Sequence, residues 1–145
     1  MPTVPIAVSV VSVADTGAGR LASFATRWVH PSLAVVTVHG ELDASNSDEF
    51  VYYALAHAGR TPRVVLDLRS VSFFGTAGLS ALDMINVGCA HKNTDWVLVP
   101  GRAVTRLLLL DDPYRALPIA RDVEAAVSSL QDSTRRPLQL VSKSR

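Results

Sequence analysis

Residues 71–79 read Val-Ser-Phe-Phe-Gly-Thr-Ala-Gly-Leu, and the turn at Gly75-Thr76 connects a short apolar strand to an apolar-striped helix. The preceding residues 64–68 are apolar apart from Asp67, which is typical of a buried strand. Thr76 therefore lies where a helix begins. A threonine there can accept a hydrogen bond from an unpaired first-turn amide, and the positive end of the helix dipole favours a phosphate at the same place. We therefore expect Thr76 to be a helix N-cap, a phosphoacceptor, or both in turn.

Length and composition predict one folded domain. The chain has 145 residues, of which 48% are hydrophobic and 19% charged, values that suit a globular core and argue against disorder. A formal net charge of +1 gives no support for nucleic-acid binding. The single cysteine, Cys89, excludes an internal disulfide and fits a reducing cytoplasm. The apolar run at residues 6–14 is too short to cross a bilayer, so we expect a soluble, cytoplasmic protein.

Hydrophobic periodicity predicts four strands and four helices along the chain. The strands are expected at residues 24–29, 33–39, 63–68 and 95–99, with a short edge segment at 117–119, where Pro118 cannot donate to a ladder. The helices are expected at residues 45–58, 76–91, 102–110 and 122–130. Residues 1–20 are predicted to form an extra strand or a loose arm, residues 21–131 the domain, and residues 132–145 a flexible, polar and basic tail.

The order of these elements predicts the fold class. The first two strands are joined by a tight turn at His30-Pro31-Ser32 and should be antiparallel. The later strands alternate with helices, which indicates parallel pairing. We therefore expect an α/β fold, a small mixed sheet of four to five strands with about four helices packed on it.

The same segments resemble the STAS domain, the family of bacterial anti-sigma-factor antagonists. Residues 36–43 are similar to the family's apolar strand followed by Gly-Glu-Leu-Asp, and residues 64–73 to its central strand and the loop after it. Residues 75–79, Gly-Thr-Ala-Gly-Leu, stand where the family usually has Asp-Ser-Ser-Gly-Leu. Residues 96–99 followed by Pro100 match the fourth strand. The resemblance extends from about Phe24 to Leu130.

The resemblance implies a switch and not an enzyme. Such proteins bind an anti-sigma factor, often itself a serine/threonine kinase, and phosphorylation of the first hydroxyl residue of the turn breaks that complex. Carried over to this sequence, the phosphoacceptor is Thr76, with Gly75 and Ala77 replacing the family's Asp and second Ser. The implied partner-binding residues are Gly40, Glu41, Asp43, Phe74, Gly75, Thr76, Ala77, Gly78 and Leu79, together with the exposed face of the second helix. No cofactor, no nucleic acid and no membrane insertion are expected.

Two other functions are consistent with the sequence. A STAS-type domain can be a scaffold subunit of a stress-signalling or lipid-transport complex. Alternatively, residues 17–22 read Gly-Ala-Gly-Arg-Leu-Ala, which fits a dinucleotide-binding fingerprint, and Glu41 follows about 20 residues later, where a ribose-binding acid is expected. That motif would make the chain a small nucleotide-binding oxidoreductase. The four histidines lack metal-ligand spacing, and Cys89 with His91 is too small a set for zinc.

Overall fold

The computed structural model describes residues 8–13, 21–111 and 116–135. Strands and helices follow one another along these residues as β1 Val8–Val13, β2 Ala22–His30, β3 Leu33–Leu42, α1 Ser47–Ala58, β4 Arg63–Phe74, α2 Thr76–His91, β5 Asp95–Val99, α3 Gly101–Leu110 and α4 Val123–Arg135.

The five strands form one sheet in the order β1-β2-β3-β4-β5. β1 and β2 pair antiparallel, as do β2 and β3, whereas β3 with β4 and β4 with β5 pair parallel. The tight turn after His30 reverses the chain, and the crossover helices α1 and α2 bring it back in the same direction. The predicted α/β fold, a mixed sheet with four helices, is confirmed.

Successive strand residues face opposite sides of the sheet, so the sheet separates two apolar clusters. The larger cluster lies beneath α1, α2 and α3 and includes Phe24, Phe50, Leu66 and Leu82. The smaller cluster contains Val35 and residues of the neighbouring strands, covered by Ala126 and Leu130 of α4. Residues 33–36 of β3 are all buried, so this part of the strand is covered on both faces of the sheet.

Several boundaries differ from the sequence-based expectations. β4 continues to Phe74, because Val71 and Phe74 turn inward beyond the exposed pair Arg69 and Ser70. α1 begins at Ser47 instead of residue 45. α4 extends through Arg135, beyond the predicted helix end at residue 130. β1 lies within the region expected to be an extra strand or an arm, and residues 136–145 lie outside the described residues.

The dinucleotide-binding interpretation is wrong. Gly17 and Gly19 lie outside the described residues, but Ala22, the last position of the motif, is the first residue of β2. β2 returns antiparallel beside β1, whereas the fingerprint needs a helix after its glycines so that the pyrophosphate meets the helix N-terminus. The strand–turn–helix unit of that motif is therefore not formed here.

The outer edge of β5 is covered by a short extended segment around Pro118. Ile119 forms a parallel bridge with Leu98. The amide of Leu98 donates to the carbonyl oxygen of Pro118 at 2.7 Å, and the amide of Ala120 donates to the carbonyl oxygen of Leu98 at 2.9 Å. The edge position predicted for this segment is confirmed.

Candidate partner-binding site

The carboxyl ends of β3 and β4 bring the two predicted site segments together. Leu42 is in register with Phe74, and the amide of Gly75 donates to the carbonyl oxygen of Leu42 at 2.9 Å. A Cβ atom placed on Gly75 would lie 3.7 Å from the Cβ atom of Asp43. Residues 40–43 and 75–79 therefore form one continuous surface, which we call the turn surface.

Gly40 is the first residue of this surface, and its backbone conformation and close packing require a glycine. Its φ is +107°, a left-handed conformation that other residues rarely adopt. A Cβ atom there would lie 2.5 Å from the carbonyl oxygen of Leu21. The same carbonyl accepts a hydrogen bond from the amide of Glu41 at 2.9 Å. The end of β3 is thus tied to the start of β2.

Asp43 is half-buried and organises the loop before α1. Its carboxylate accepts hydrogen bonds from the amide of Ser45 at 2.8 Å and from the Ser45 hydroxyl at 2.6 Å. Its own amide donates to the side chain of Asn46 at 3.0 Å. An aspartate that bonds the backbone two residues later holds a turn. This turn explains why α1 begins later than the sequence pattern predicts.

Asn46 is a structural residue of the site that sequence reasoning missed. It is buried, and its side-chain amide also donates to the carbonyl oxygen of Glu41 at 2.8 Å. Its side chain therefore bonds two backbone groups that precede α1, the amide of Asp43 and the carbonyl oxygen of Glu41. The available signal was an asparagine immediately before the first helical residue, a position that favours this residue type.

The predicted N-cap at Thr76 is wrong, because Gly75 is the N-cap of α2. Gly75 has the extended backbone of a cap residue, φ −89° and ψ 177°, and its carbonyl accepts a hydrogen bond from the amide of Gly78 at 2.9 Å. Thr76 is the first helical residue. Its hydroxyl is exposed and forms no hydrogen bond with the residues that the structure describes.

The predicted partner-binding residues divide into exposed and buried positions. Gly40, Glu41, Asp43, Gly75 and Ala77 are half-buried, and Thr76 is exposed. Phe74, Gly78 and Leu79 are buried, so they support the surface without forming it. Phe73 is 38% exposed and Phe74 only 6%, so Phe74 belongs to the core and Phe73 faces the surface. A Cβ atom on Gly78 would lie 2.5 Å from the Phe74 ring, so the glycine lets that ring pack.

The exposed side of α2 continues this surface toward α1. Tyr52 of α1 is 79% exposed, and Met84 and Val87 of α2 are more than half exposed. Tyr52 and Met84 line a groove of about 530 Å³ between the two helices, together with Asp48 and Lys92. Large apolar side chains grouped on a surface mark interaction sites.

A buried polar network holds α1 onto β2. Nδ1 of His57 lies 3.0 Å from the carbonyl oxygen of Tyr53 and must donate to it. Nε2 of His57 then accepts from the Thr26 hydroxyl at 2.8 Å, and the Thr26 oxygen accepts from the Tyr53 hydroxyl at 2.7 Å. His57 is therefore a structural residue of the core.

The described residues also bear on three other kinds of feature: a metal site, a reactive cysteine and a membrane-spanning helix. They contain no group of three or more His, Cys, Asp or Glu side chains that could hold a metal ion. Cys89 is buried, and this burial raises the pKa of its thiol to about 11, which disfavours the reactive thiolate. No helix within the described ranges has the length and apolar character needed to cross a membrane.

Known proteins resemble this chain in sequence and in fold. Osmosensory protein A of Mycobacterium tuberculosis is 32% identical over 79% of this chain and 75% of that protein. An anti-sigma factor antagonist from Mycobacterium paratuberculosis superposes with a TM-score of 0.61 at 20% identity, over 86% of this chain and 95% of that one. The anti-sigma factor antagonist SpoIIAA, in its unphosphorylated form, superposes with a TM-score of 0.59 at 14% identity, over 75% of this chain and 96% of that one.

At these identities, the two structural likenesses establish the fold. The family model described as the STAS domain matches residues 26–126, which include β3, β4, α2 and the whole turn surface. Together with the relative that is 32% identical, this match identifies the chain as a member of the STAS domain family.

Proposed function

We propose that this protein is a non-enzymatic anti-sigma factor antagonist, which binds an anti-sigma factor through the turn surface and the exposed side of α2. The partner in this class can itself be a serine/threonine kinase, and its capture regulates transcription. Membership of the STAS family and the fold shared with two anti-sigma factor antagonists support this function. The observation that carries it is an exposed hydroxyl, that of Thr76, in the first turn of a helix beside Asp43.

Phosphorylation of Thr76 would change the turn surface electrostatically. A phosphate adds about −1.5 to −2 charges at neutral pH. The first turn of α2 contains no acidic residue, so its amides can receive the phosphate. The side chain of Asp43 passes close to the preceding residue, since a Cβ atom on Gly75 would lie 3.7 Å from the Cβ atom of Asp43. We therefore expect the phosphate to repel the Asp43 carboxylate. Burying this added charge against a partner is unfavourable, so phosphorylation should release the anti-sigma factor.

A second candidate function is favoured by one finding. The relative that is 32% identical is named an osmosensory protein, which favours a role in stress signalling. In that role the domain would be a scaffold subunit of a stress-signalling assembly, and the state of Thr76 would not control its binding. The two candidates therefore differ in what a charge at Thr76 does.

The test compares three forms of the protein as bait in native lysate: wild type, Thr76→Glu and Ser128→Glu. Ser128 is exposed on α4, on the opposite face of the sheet, and controls for the added charge. An anti-sigma factor identified by mass spectrometry with wild type and Ser128→Glu, but lost with Thr76→Glu, supports the proposal. Equal capture by all three forms would remove the switch, and capture of stress-complex subunits alone would favour the scaffold.

A direct phosphorylation assay completes the test. The captured anti-sigma factor, if it is a kinase, is incubated with the protein and ATP, and the modified residue is located by mass spectrometry. Phosphate on Thr76, absent from Thr76→Ala, is the expected result. Phosphate elsewhere would move the regulatory site away from the turn surface.

A further inference from the structure

An arginine-lined groove lies beyond the carboxyl end of β5, between the outer side of α3 and residues 119–121. Its volume is about 690 Å³. The residues that line it are Pro100, Gly101, Arg102, Thr105, Arg106, Leu109, Ile119, Ala120 and Arg121. No carboxylate lies among them. We call this cavity the α3 groove.

Two of its three arginines lack an anionic partner. Arg102 and Arg106 are exposed and stand one helical turn apart on α3. Within the described ranges neither forms an ion pair or a side-chain hydrogen bond. Like charges at this spacing weaken a helix by about 0.2–0.5 kcal/mol. Arg69, by contrast, is held by Asp67 at 2.9 Å, so the free pair on α3 is a specific feature.

The third arginine stands across the groove. The Nε atom of Arg121 lies 3.5 Å from the carboxylate of Asp122, which partly neutralises it. Asp122 also accepts a hydrogen bond from the amide of Ala125 at 2.8 Å, so this carboxylate faces the start of α4. The positive field in the groove therefore comes mainly from α3.

Apolar side chains lie beside these cations. Leu109 is 79% exposed and Ile119 is 54% exposed, and both line the α3 groove. A leucine and an isoleucine so placed gain little from folding, because most of their surface stays in water. The groove therefore offers guanidinium groups on α3 and an apolar region within one continuous concavity.

We propose that the α3 groove binds an acidic peptide segment of a partner protein, with carboxylates on Arg102 and Arg106 and an aliphatic side chain between Leu109 and Ile119. Charge complementarity argues for an anionic occupant, because guanidinium groups bind carboxylates in bidentate pairs. The apolar region argues for an occupant with aliphatic side chains, which a simple anion lacks.

The α3 groove is distinct from the turn surface, although the two are neighbours. Arg106 also lines a smaller hollow of about 200 Å³ that includes Phe73 and Leu110. The acidic segment could therefore belong to the protein that covers the turn surface or to a different one. The proposal concerns the chemistry of the groove and does not depend on the anti-sigma factor interaction.

The test selects random displayed peptides on the whole protein and measures the selected peptides in solution. Peptides that combine Asp or Glu with Leu, Ile or Val are expected to be enriched. A fluorescein-labelled peptide of this kind is then titrated by fluorescence anisotropy against wild type and Arg102→Glu/Arg106→Glu. The double variant should weaken binding at least about tenfold, as loss of charge-assisted hydrogen bonds implies. Leu109→Ser should also weaken it.

The matched control is Arg27→Glu/Arg60→Glu, which makes the same charge change at two exposed residues, one on β2 and one in the turn after α1. It should change the affinity by less than about twofold, since distant surface charges are screened. Circular dichroism confirms folding, and Arg102→Gln/Arg106→Gln replaces the glutamate variant if that one unfolds. Equal binding by both double variants, or no enrichment of acidic peptides, would overturn the proposal.

Two further outcomes would also overturn it in favour of another occupant. The first is binding to phosphatidylglycerol vesicles that Arg102→Glu/Arg106→Glu abolishes, without any peptide enrichment. The second is self-association of the wild-type protein, measured by sedimentation and abolished by the same variant. This result would identify a second copy of this chain as the occupant.

Discussion

The amide of Gly75 and the carbonyl oxygen of Leu42 lie 2.9 Å apart, and their hydrogen bond joins the turn before α2 to the end of β3. Because the bond is between backbone groups, it does not depend on the side chain at position 75. It holds the exposed Thr76 at a fixed place relative to Asp43. Glycine at position 75, where the family usually has aspartate, therefore keeps the geometry of the turn and adds no carboxylate next to Thr76.

Replacement of Thr76 by alanine should leave stability nearly unchanged. Replacing a threonine N-cap by alanine lowers the free energy of unfolding by about 1 kcal/mol. Thr76, however, is the first helical residue, and its hydroxyl bonds none of the described groups. Surface changes of this kind stay within about 0.5 kcal/mol. Chemical denaturation measures the difference, and a loss near 1 kcal/mol would mean that Thr76 caps the helix after all.

Placing the family's aspartate at position 75 should stabilise the protein less when Asp43 is present than when it is replaced. An aspartate at this N-cap gains a few tenths of a kcal/mol over glycine, but its Cβ atom would lie 3.7 Å from that of Asp43, so two acidic side chains would be neighbours. We expect Gly75→Asp to be more stabilising in an Asp43→Asn background than in wild type, by about 0.5 kcal/mol. Gly75→Asn, which is neutral, serves as the control. Additive effects in the double-mutant cycle would show that the two carboxylates do not interact.

Removal of the Thr26 hydroxyl should destabilise the domain. Thr26→Val keeps the shape of the side chain but deletes the donor to Nε2 of His57 and the acceptor of the Tyr53 hydroxyl. Disrupting a buried hydrogen-bond network of this kind costs about 1–3 kcal/mol. Thr37→Val, on β3, is the matched control and should be nearly neutral. Urea denaturation at neutral pH gives both values, and equal stability of the two variants would remove the role assigned to the network.

Alkaline pH should destabilise wild type more than Cys89→Ala. Burial raises the pKa of the Cys89 thiol to about 11, whereas a cysteine in an unfolded chain titrates near about 8.5. Between these values the folded state keeps a proton that the unfolded state loses, so the free energy of unfolding falls as pH rises. Below about 8.5 both states are protonated and the contribution is constant. Denaturation curves for the two proteins across this window provide the measurement, and parallel pH profiles would contradict it.

The fold could be predicted because its signals are local. Apolar positions of α2 recur at helical spacing, and Leu79, Leu82, Ile85 and Cys89 are all buried as that spacing requires. The end of β4 was missed because Arg69, Ser70 and Ser72 interrupt the apolar run. The strand continues there with a shifted register against β3, and a shift of this kind is set by the neighbouring strand and leaves no period in the sequence.

The candidate site was predictable only in outline. Its segments could be named because residues 36–43 and 75–79 resemble the motifs of the STAS family. The structure adds that they meet at one edge of the sheet, because β3 and β4 pair parallel. Which side chains reach the surface depended on packing that spans the chain, as Phe73 and Phe74 illustrate. The network of Thr26 with Tyr53 and His57 joins residues about 30 positions apart, and only the pairing of β2 with α1 reveals it.

The segment at Pro118 has a consequence for solubility. A parallel sheet that ends in an open strand offers unpaired backbone groups to another chain, and such edges promote aggregation. Here the backbone groups of Leu98 on the outer side of β5 are already bonded to Pro118 and Ala120. Proline has no amide proton of its own to offer. The bridge at Ile119 thus occupies the edge of β5 near Leu98, so a strand from another chain cannot easily pair with β5 there.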